Sequence, residues 1–296
     1  MLFGRVVTAM ITPMDAGGAV DYAEAARLAR WLCDHGSSAL VVCGTTGEAP
    51  TLSDDEKTQL FRTVVEAVGQ RAQVLANTGG NDTHHSIELS RRAAAAGVHA
   101  LLLVAPYYNK PPQAGLAAHF RAIADAVDLP VMIYNIPGRT SVNVNADTLL
   151  GLAGHPRIVA VKESSGDLAQ IAEITARAPA GFDVYSGDDH LALPIAAIGG
   201  CGVVSVASHV AGDDIKAMLD AFFAGDVAQA ARLNARLLPL FKALFAVTSP
   251  IPVKAAMKRL GFAPGVCRPP LCELSAAQEQ ALGEAIAPWL RAPAFR

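Results

Sequence analysis

Eight short runs of apolar, largely β-branched residues recur along this chain: Val6–Thr12, Ala39–Cys43, Gln73–Asn77, Ala100–Val104, Pro130–Tyr134, Ile158–Lys162, Asp183–Ser186 and Gly202–Val206. Several are apolar throughout instead of alternating. A strand with no polar face has to be covered on both sides, which is the condition of parallel strands with helices packed outside them. Most of the runs are followed by a segment with helical spacing of apolar residues, among them Tyr22–His35, Ser53–Val68, Thr83–Ala96, Gly115–Val127 and Asp167–Ala178. Ser53 followed by Glu56 reads as a capping box at a helix start. Eight strands with helical crossovers predict an α/β fold, a (β/α)8 TIM barrel. The alternative, an open doubly wound sheet, usually carries a Gly-x-Gly-x-x-Gly turn after its first strand, and none occurs here. After about Ala224 the strand signal stops, and Asp226–Ala246, Pro252–Leu260 and Ser275–Leu290 read as helices. The expected organisation is a barrel over residues 1–224, then a small C-terminal helical domain over 225–296 with the Pro/Cys-rich stretch Gly265–Cys272 as a connection within it.

The length of 296 residues suits a barrel of about 250 residues plus an appendage. With 52% hydrophobic and only 17% charged residues, the chain has apolar surface left to hide, which predicts self-association. A net charge of −3 and no basic face argue against nucleic acid as a partner. The longest apolar runs fall far short of the ~20 residues needed to span a bilayer, so no membrane association is expected. Met1–Arg5 leads directly into the first strand, without the apolar stretch and cleavage site of a signal peptide. The cysteines (Cys33, Cys43, Cys201, Cys267, Cys272) are odd in number and form no Cys-x-x-Cys pattern, so they read as reduced core thiols of a cytoplasmic enzyme.

In such a barrel the chemistry sits at the C-terminal ends of the strands. Of the seven lysines, Lys162 alone closes a strand. An amine there can attack a carbonyl and form an imine, and apolar surroundings would lower its pKa. The plainer reading is an ion pair with Glu163 or Asp188. Tyr134, ending the neighbouring strand, can shuttle protons or simply bond to backbone. Thr45 and Thr46 follow a glycine, so their N–H groups can point at a carboxylate, or form an ordinary turn. Arg139, after Pro137-Gly138, can clamp a second carboxylate or be a surface residue. Tyr107-Tyr108 reads as packing or interface. Asp188–His190 and His84–His85 lack metal-ligand spacing, so no metal is expected. Gly199–Gly202 precedes the last strand and lies on the wrong face for a ligand.

Gly44–Glu48, Pro106–Asn109, Tyr134–Pro137 with Arg139-Thr140, Val161–Glu163, Ser186–Asp189 and Gly202–Ser205, taken in order and spacing, resemble the dihydrodipicolinate synthase family. The resemblance runs essentially end to end and includes Pro250–Lys254. It implies a lyase with no cofactor and no metal, in lysine and diaminopimelate biosynthesis. Lys162 would form an imine with pyruvate, and the derived enamine would attack L-aspartate-4-semialdehyde to give 4-hydroxy-tetrahydrodipicolinate. The resemblance further implies that Thr46, Tyr134 and Tyr108 form a proton relay, with Tyr108 contributed across a subunit interface. Thr45 and Thr46 would hold the pyruvate carboxylate, Arg139 that of the second substrate, and Gly187 and Val204 would offer carbonyls near the imine. It also implies a homotetramer, a dimer of dimers. The alternative is a pyruvate-dependent sugar-acid aldolase or N-acetylneuraminate lyase, against which Arg139 and the Thr45-Thr46 pair speak. A dead keto-acid sensor and a metal-dependent aldolase fit less well, the first because the relay residues are retained together, the second for want of ligand spacing. Ser208-His209 and Pro50 depart from the family's pattern.

The resemblance also places a lysine-effector pocket at Ala49, Pro50, Asp54, Lys57, Asn81, His85 and Tyr107. Asn81 and Tyr107 match sensitive enzymes, but His85 stands where those have a glutamate and Lys57 where they have a histidine. The expectation is weak or absent inhibition by lysine, unless Asp54 takes over the ammonium contact.

Overall fold

A computed structural model describes residues 1–290; the last six residues of the expected 225–296 unit lie outside the described residues. The chain alternates β1 (Val6–Ala9), α1 (Tyr22–Asp34), β2 (Ala39–Val42), α2 (Asp54–Val68), β3 (Gln73–Asn77), α3 (Thr83–Ala95), β4 (Ala100–Val104), α4 (Gln113–Asp125) and β5 (Val131–Asn135). It continues through α5 (Pro137–Thr140), α6 (Ala146–Ala153), β6 (Ile158–Glu163), α7 (Leu168–Arg177), β7 (Asp183–Ser186), α8 (Ala192–Ala197), β8 (Gly202–Ser205) and α9 (Ser208–Phe223). Three further helices follow: α10 (Val227–Leu244), α11 (Ile251–Arg259) and α12 (Ala276–Ile286). The eight strands are parallel and close in sequence order, β1 pairing with β8.

The closed barrel explains the unbroken apolar runs. Alternate residues point inward, and Val7, Ala9, Val41, Leu75, Leu102, Met132, Tyr134, Ala160, Tyr185 and Val204 form one packed interior cluster. Their neighbours Leu40, Val42, Leu101, Leu103, Ile133, Val161 and Val203 point outward into the larger core beneath the helices. Both sets leave water, so both faces of a strand are largely apolar. Helix starts follow local chemistry: the Ser53–Glu56 capping box of α2 is present with both reciprocal bonds, and Ser275 and Gln278 make another at α12.

The structure departs locally from the sequence reading. β1 stops at Ala9, not Thr12, because the Ile11 N–H is taken by His209 Nε2 (3.2 Å) and the Thr12 hydroxyl by the Gly47 carbonyl (2.7 Å). α6 is only eight residues long and α8 six, too short to show a helical period against the apolar stretches around them. α9 is kinked at Ala211, which breaks its pattern. Cys272 is exposed, not core, and Cys33, Cys201 and Cys267 are only partly buried. The Gly265–Cys272 connection also reaches beyond the helical segment: Arg268 donates to the Gly18 and Thr51 carbonyls and pairs with Glu56 at 2.5 Å.

His209 carries a pH dependence. Its ring is fully buried, with Nδ1 bonded to the Val206 carbonyl (2.9 Å) and Nε2 accepting from Ile11, a pairing that needs the neutral ring. Burial lowers its pKa to about 4. The unfolded chain therefore binds this proton first, and the stabilisation from a neutral His209 is complete above about pH 6.5 and lost as pH falls towards 4. His209→Gln can both donate and accept but does not titrate. The stability of the native chain relative to this variant should fall by about 3 kcal/mol between pH 7 and pH 4. Denaturant titrations at both pH values measure this, and parallel profiles for the two proteins would contradict it.

Candidate active site at the barrel mouth

Lys162 lies two residues beyond the interior residue Ala160 and pairs in register with Tyr134 on one side and Tyr185 on the other, both interior. Its side chain therefore enters the barrel, where it is 6% exposed. Glu163 points the opposite way: its carboxylate takes both bonds from Asn135 Nδ2 (3.1 and 3.0 Å) and one from the Ser165 amide (2.7 Å). The strand's alternation thus rules out the Lys162–Glu163 ion pair. Asp188 and Asp189 act on the amine through space and not by hydrogen bonds. Asp189 is instead buried as a structural acceptor for the Ser205 hydroxyl and the Val206 and Ala207 amides, both at 3.0 Å.

Burial pulls the Lys162 pKa down to about 8, Arg139 adding to the shift while Asp188 and Asp189 oppose it. Near pH 7 roughly one amine in ten is then neutral, against about one in a thousand or fewer for an ordinary lysine. The Tyr134 ring lies 4.1 Å from the amine. Burial raises the phenol's pKa, as does Asp188, while Arg139, Ser164 and Thr45 oppose the rise. It stays protonated and able to donate. Gly187 has a steric reason to be glycine: a Cβ there would meet Ser164 Oγ at 1.9 Å and Lys162 Cε at 3.0 Å. Val204, fully buried on β8, the strand paired with β7, belongs to the same interior cluster as Tyr134.

Thr45 and Thr46 sit on a loop of successive turns, with Gly47 and Ala49 N–H both bonded to the Gly44 carbonyl and Glu48 N–H to that of Thr45. Cys43 and Glu48 flank this loop with left-handed backbones (φ 56 and 58). Thr46 is buried and Thr45 half-buried. Arg139 is exposed on α5 and shares a cavity of about 400 Å³ with Thr45. Tyr108 is set apart from these groups: it is 90% exposed, on a left-handed backbone (φ 73).

The same cavity is lined by Ala49, Pro50, Lys57, Asn81, His85 and Tyr107. Asp54 lies behind, bonded to His85 Nε2 at 2.7 Å and paired with Lys57 at 3.4 Å. Burial alone would raise its pKa, but the His85 bond and the Lys57 charge outweigh this and hold it low.

Two features escaped the sequence reading. Ser164 Oγ is buried beside Tyr134 and Gly187, where it acts on the Tyr134 phenol; its place directly after Lys162-Glu163 was the available signal. Glu48 and Lys254 form a buried ion pair at 2.5 Å, for which two residues 206 positions apart offer no local signal.

Residues 2–288 match the family described as the dihydrodipicolinate synthetase family. Over 286 residues the chain is 56% identical to a 4-hydroxy-tetrahydrodipicolinate synthase of Symbiobacterium thermophilum, covering 96% of this chain and 97% of that one. The dihydrodipicolinate synthase of Cyanidioschyzon merolae, solved with lysine bound, is 48% identical, with a TM-score of 0.95 over 96% of this chain and 97% of that one. A dihydrodipicolinate synthase of Bacillus anthracis gives a TM-score of 0.95 at 45% identity, over 96% and 98% of the two chains.

Proposed function

The chain belongs to the dihydrodipicolinate synthetase family, and from that premise we propose how its barrel mouth works. The reaction is the condensation of pyruvate with L-aspartate-4-semialdehyde to 4-hydroxy-tetrahydrodipicolinate, in lysine and diaminopimelate biosynthesis. The observation that carries the mechanism is the buried, pKa-lowered amine of Lys162, packed between Tyr134 and the bare backbone of Gly187. The neutral amine adds to the pyruvate ketone, and the carbinolamine loses water to give an imine. Loss of a methyl proton makes an enamine, whose carbon attacks the aldehyde of the second substrate and restores the Lys162 imine; the amino group of that substrate then adds to the imine carbon, closing the ring and expelling the Lys162 amine.

Tyr134, held protonated by burial, donates to the departing hydroxide, and Thr46 and Tyr108 complete the relay. The N–H groups of Thr45 and Thr46 receive the pyruvate carboxylate, and Arg139 at the open rim receives that of the semialdehyde. The carbonyls of Gly187 and Val204 border the imine. A Tyr108 so exposed and strained supports a site completed by a second copy, in a homotetramer built as a dimer of dimers. We take the barrel as residues 1–224 and the helical unit as 225–296. Five free cysteines suit a reducing cytoplasm. Among the described residues, no helix is long and apolar enough to cross a membrane.

The assay that tests this reading supplies pyruvate with aspartate semialdehyde, and in parallel N-acetylneuraminate for cleavage. Turnover of the first pair alone is expected, and preferential cleavage of the sialic acid would overturn it. Adding free lysine to the same assay tests the effector cavity. Asp54 already serves His85 and Lys57, so an incoming ammonium would have to displace them. Lacking one charge-assisted hydrogen bond alone costs about 1.5–3 kcal/mol, or roughly 10- to 150-fold in affinity. Inhibition should therefore be weak or absent, and half-inhibition below ~1 mM lysine, equivalent to only about 4 kcal/mol of binding, would contradict it.

A further inference from the structure

Glu48 is the last residue of the Gly44–Glu48 loop, and its side chain meets Lys254 and the Arg268 backbone. Its side chain is 1% exposed and that of Lys254, its partner at 2.5 Å, 3%. The second carboxylate oxygen accepts the Arg268 amide (2.8 Å), and Lys254 also donates to the Val266 carbonyl (2.7 Å). Among the described residues, every polar contact of this carboxylate thus comes from α11 or the segment following it, more than two hundred residues away. The main chain of Glu48 meanwhile faces the loop: its N–H donates to the Thr45 carbonyl (3.1 Å), and its carbonyl accepts from the Thr51 amide (3.0 Å) and hydroxyl (3.1 Å). Its left-handed φ of 58 is a conformation that a glutamate adopts only when its surroundings hold it there. Ala49 and Pro50, next along the chain, line the effector cavity.

A charge pair buried this deeply is weak evidence for stability, since an apolar or neutral pair of similar shape often serves as well. Its geometry points to another use. We propose that the Glu48–Lys254 pair positions the Thr45–Thr46 loop, so that the C-terminal helical segment sets the aim of the N–H groups that receive the pyruvate carboxylate. This rests on the assignment of those groups to pyruvate. Lys162 stands on β6, outside the reach of this tie, but Thr45 acts on the Tyr134 phenol and Thr46 belongs to the relay, so loss of the pair acts on pyruvate capture and on turnover together.

The single variant Lys254→Met strands a buried carboxylate and is expected to unfold readily, so the decisive protein is Glu48→Gln/Lys254→Met, which removes both charges together. The double variant should melt near the native temperature and still be trapped on Lys162 by borohydride with pyruvate. Its KM for pyruvate should rise about 10-fold, the scale of a displaced charge-assisted contact, and kcat should fall with it, because the same loop carries Thr46 of the relay. A native KM in the folded double variant would overturn the positioning role, as would a fall in kcat at unchanged KM. So would a double variant no more stable than Lys254→Met, because the pair would then serve the fold itself. Absence of a pyruvate adduct in the native enzyme would instead defeat the underlying reading, and the two failures are read from different proteins.

Discussion

Lys162→Ala should abolish condensation, with turnover falling by roughly 10⁴-fold or more, as when a covalent nucleophile is removed from other enzymes. No nearby group can substitute. Among the described residues Lys254 is the other well-buried lysine, and it is engaged by Glu48 and the Val266 carbonyl. The loss should fall on chemistry and not on folding, since Lys162 burial costs desolvation and its amine makes no hydrogen bond that contributes to its pKa. Borohydride added with pyruvate should reduce the imine and leave a mass increment on the peptide carrying Lys162 in the native protein, and none in the variant. A label on Lys254 or Lys258, or persistent turnover by the folded variant, would place the nucleophile elsewhere. The pKa of about 8 adds a sign: the neutral amine grows as pH rises towards 8, so imine formation should accelerate from pH 6 to 8 and then level off.

The barrel was legible because closure forces a pattern that any reader of the chain can see. Runs such as Ala100–Val104 and Ile158–Val161 are apolar at every position, since Leu102 and Ala160 fill the interior while Leu101, Leu103 and Val161 meet the helices. The strand-terminal position of Lys162 was legible for the same reason, and the alternation that sends Lys162 inward also sends Glu163 outward to Asn135. What a sequence cannot display is pairing between distant segments. The end of β1 depends on His209, a residue 198 positions from the Ile11 amide it accepts. The Glu48–Lys254 tie and the docking of Arg268 onto Glu56 likewise join residues more than two hundred positions apart. In the sequence Asp189 stands out only within the Ser186–Asp189 and Asp188–His190 runs, while Asp188 is the ion-pair candidate for Lys162; the Asp189 carboxylate is spent on Ser205, Val206 and Ala207. Adjacent numbers in a turn did not mean adjacent roles.

Tyr108→Phe is expected to lower turnover by about 10²-fold, the usual contribution of a positioned acid or base. The ring is retained, so packing at any subunit contact should persist, and pyruvate capture by the Thr45–Thr46 loop should change little. Within one chain this residue is 90% exposed, with a left-handed backbone that a tyrosine rarely adopts. A hydroxyl held out from the fold in this way can serve a partner's site better than its own. That difference can be measured. If Tyr108 acts across a two-fold interface, each subunit supplies its own Lys162 and borrows the neighbour's Tyr108. Tyr108→Phe and Lys162→Ala are then each close to inactive alone. A mixed pair has one site with both the lysine and the tyrosine and one site with neither. Co-expressing the two variants should therefore restore about a quarter of native activity, since random pairing makes half the pairs mixed and each has one intact site of two. Were Tyr108 to act within its own chain, every site in every pair would lack one group, and mixing would restore nothing. Full activity of Tyr108→Phe on its own would remove the hydroxyl from the relay altogether.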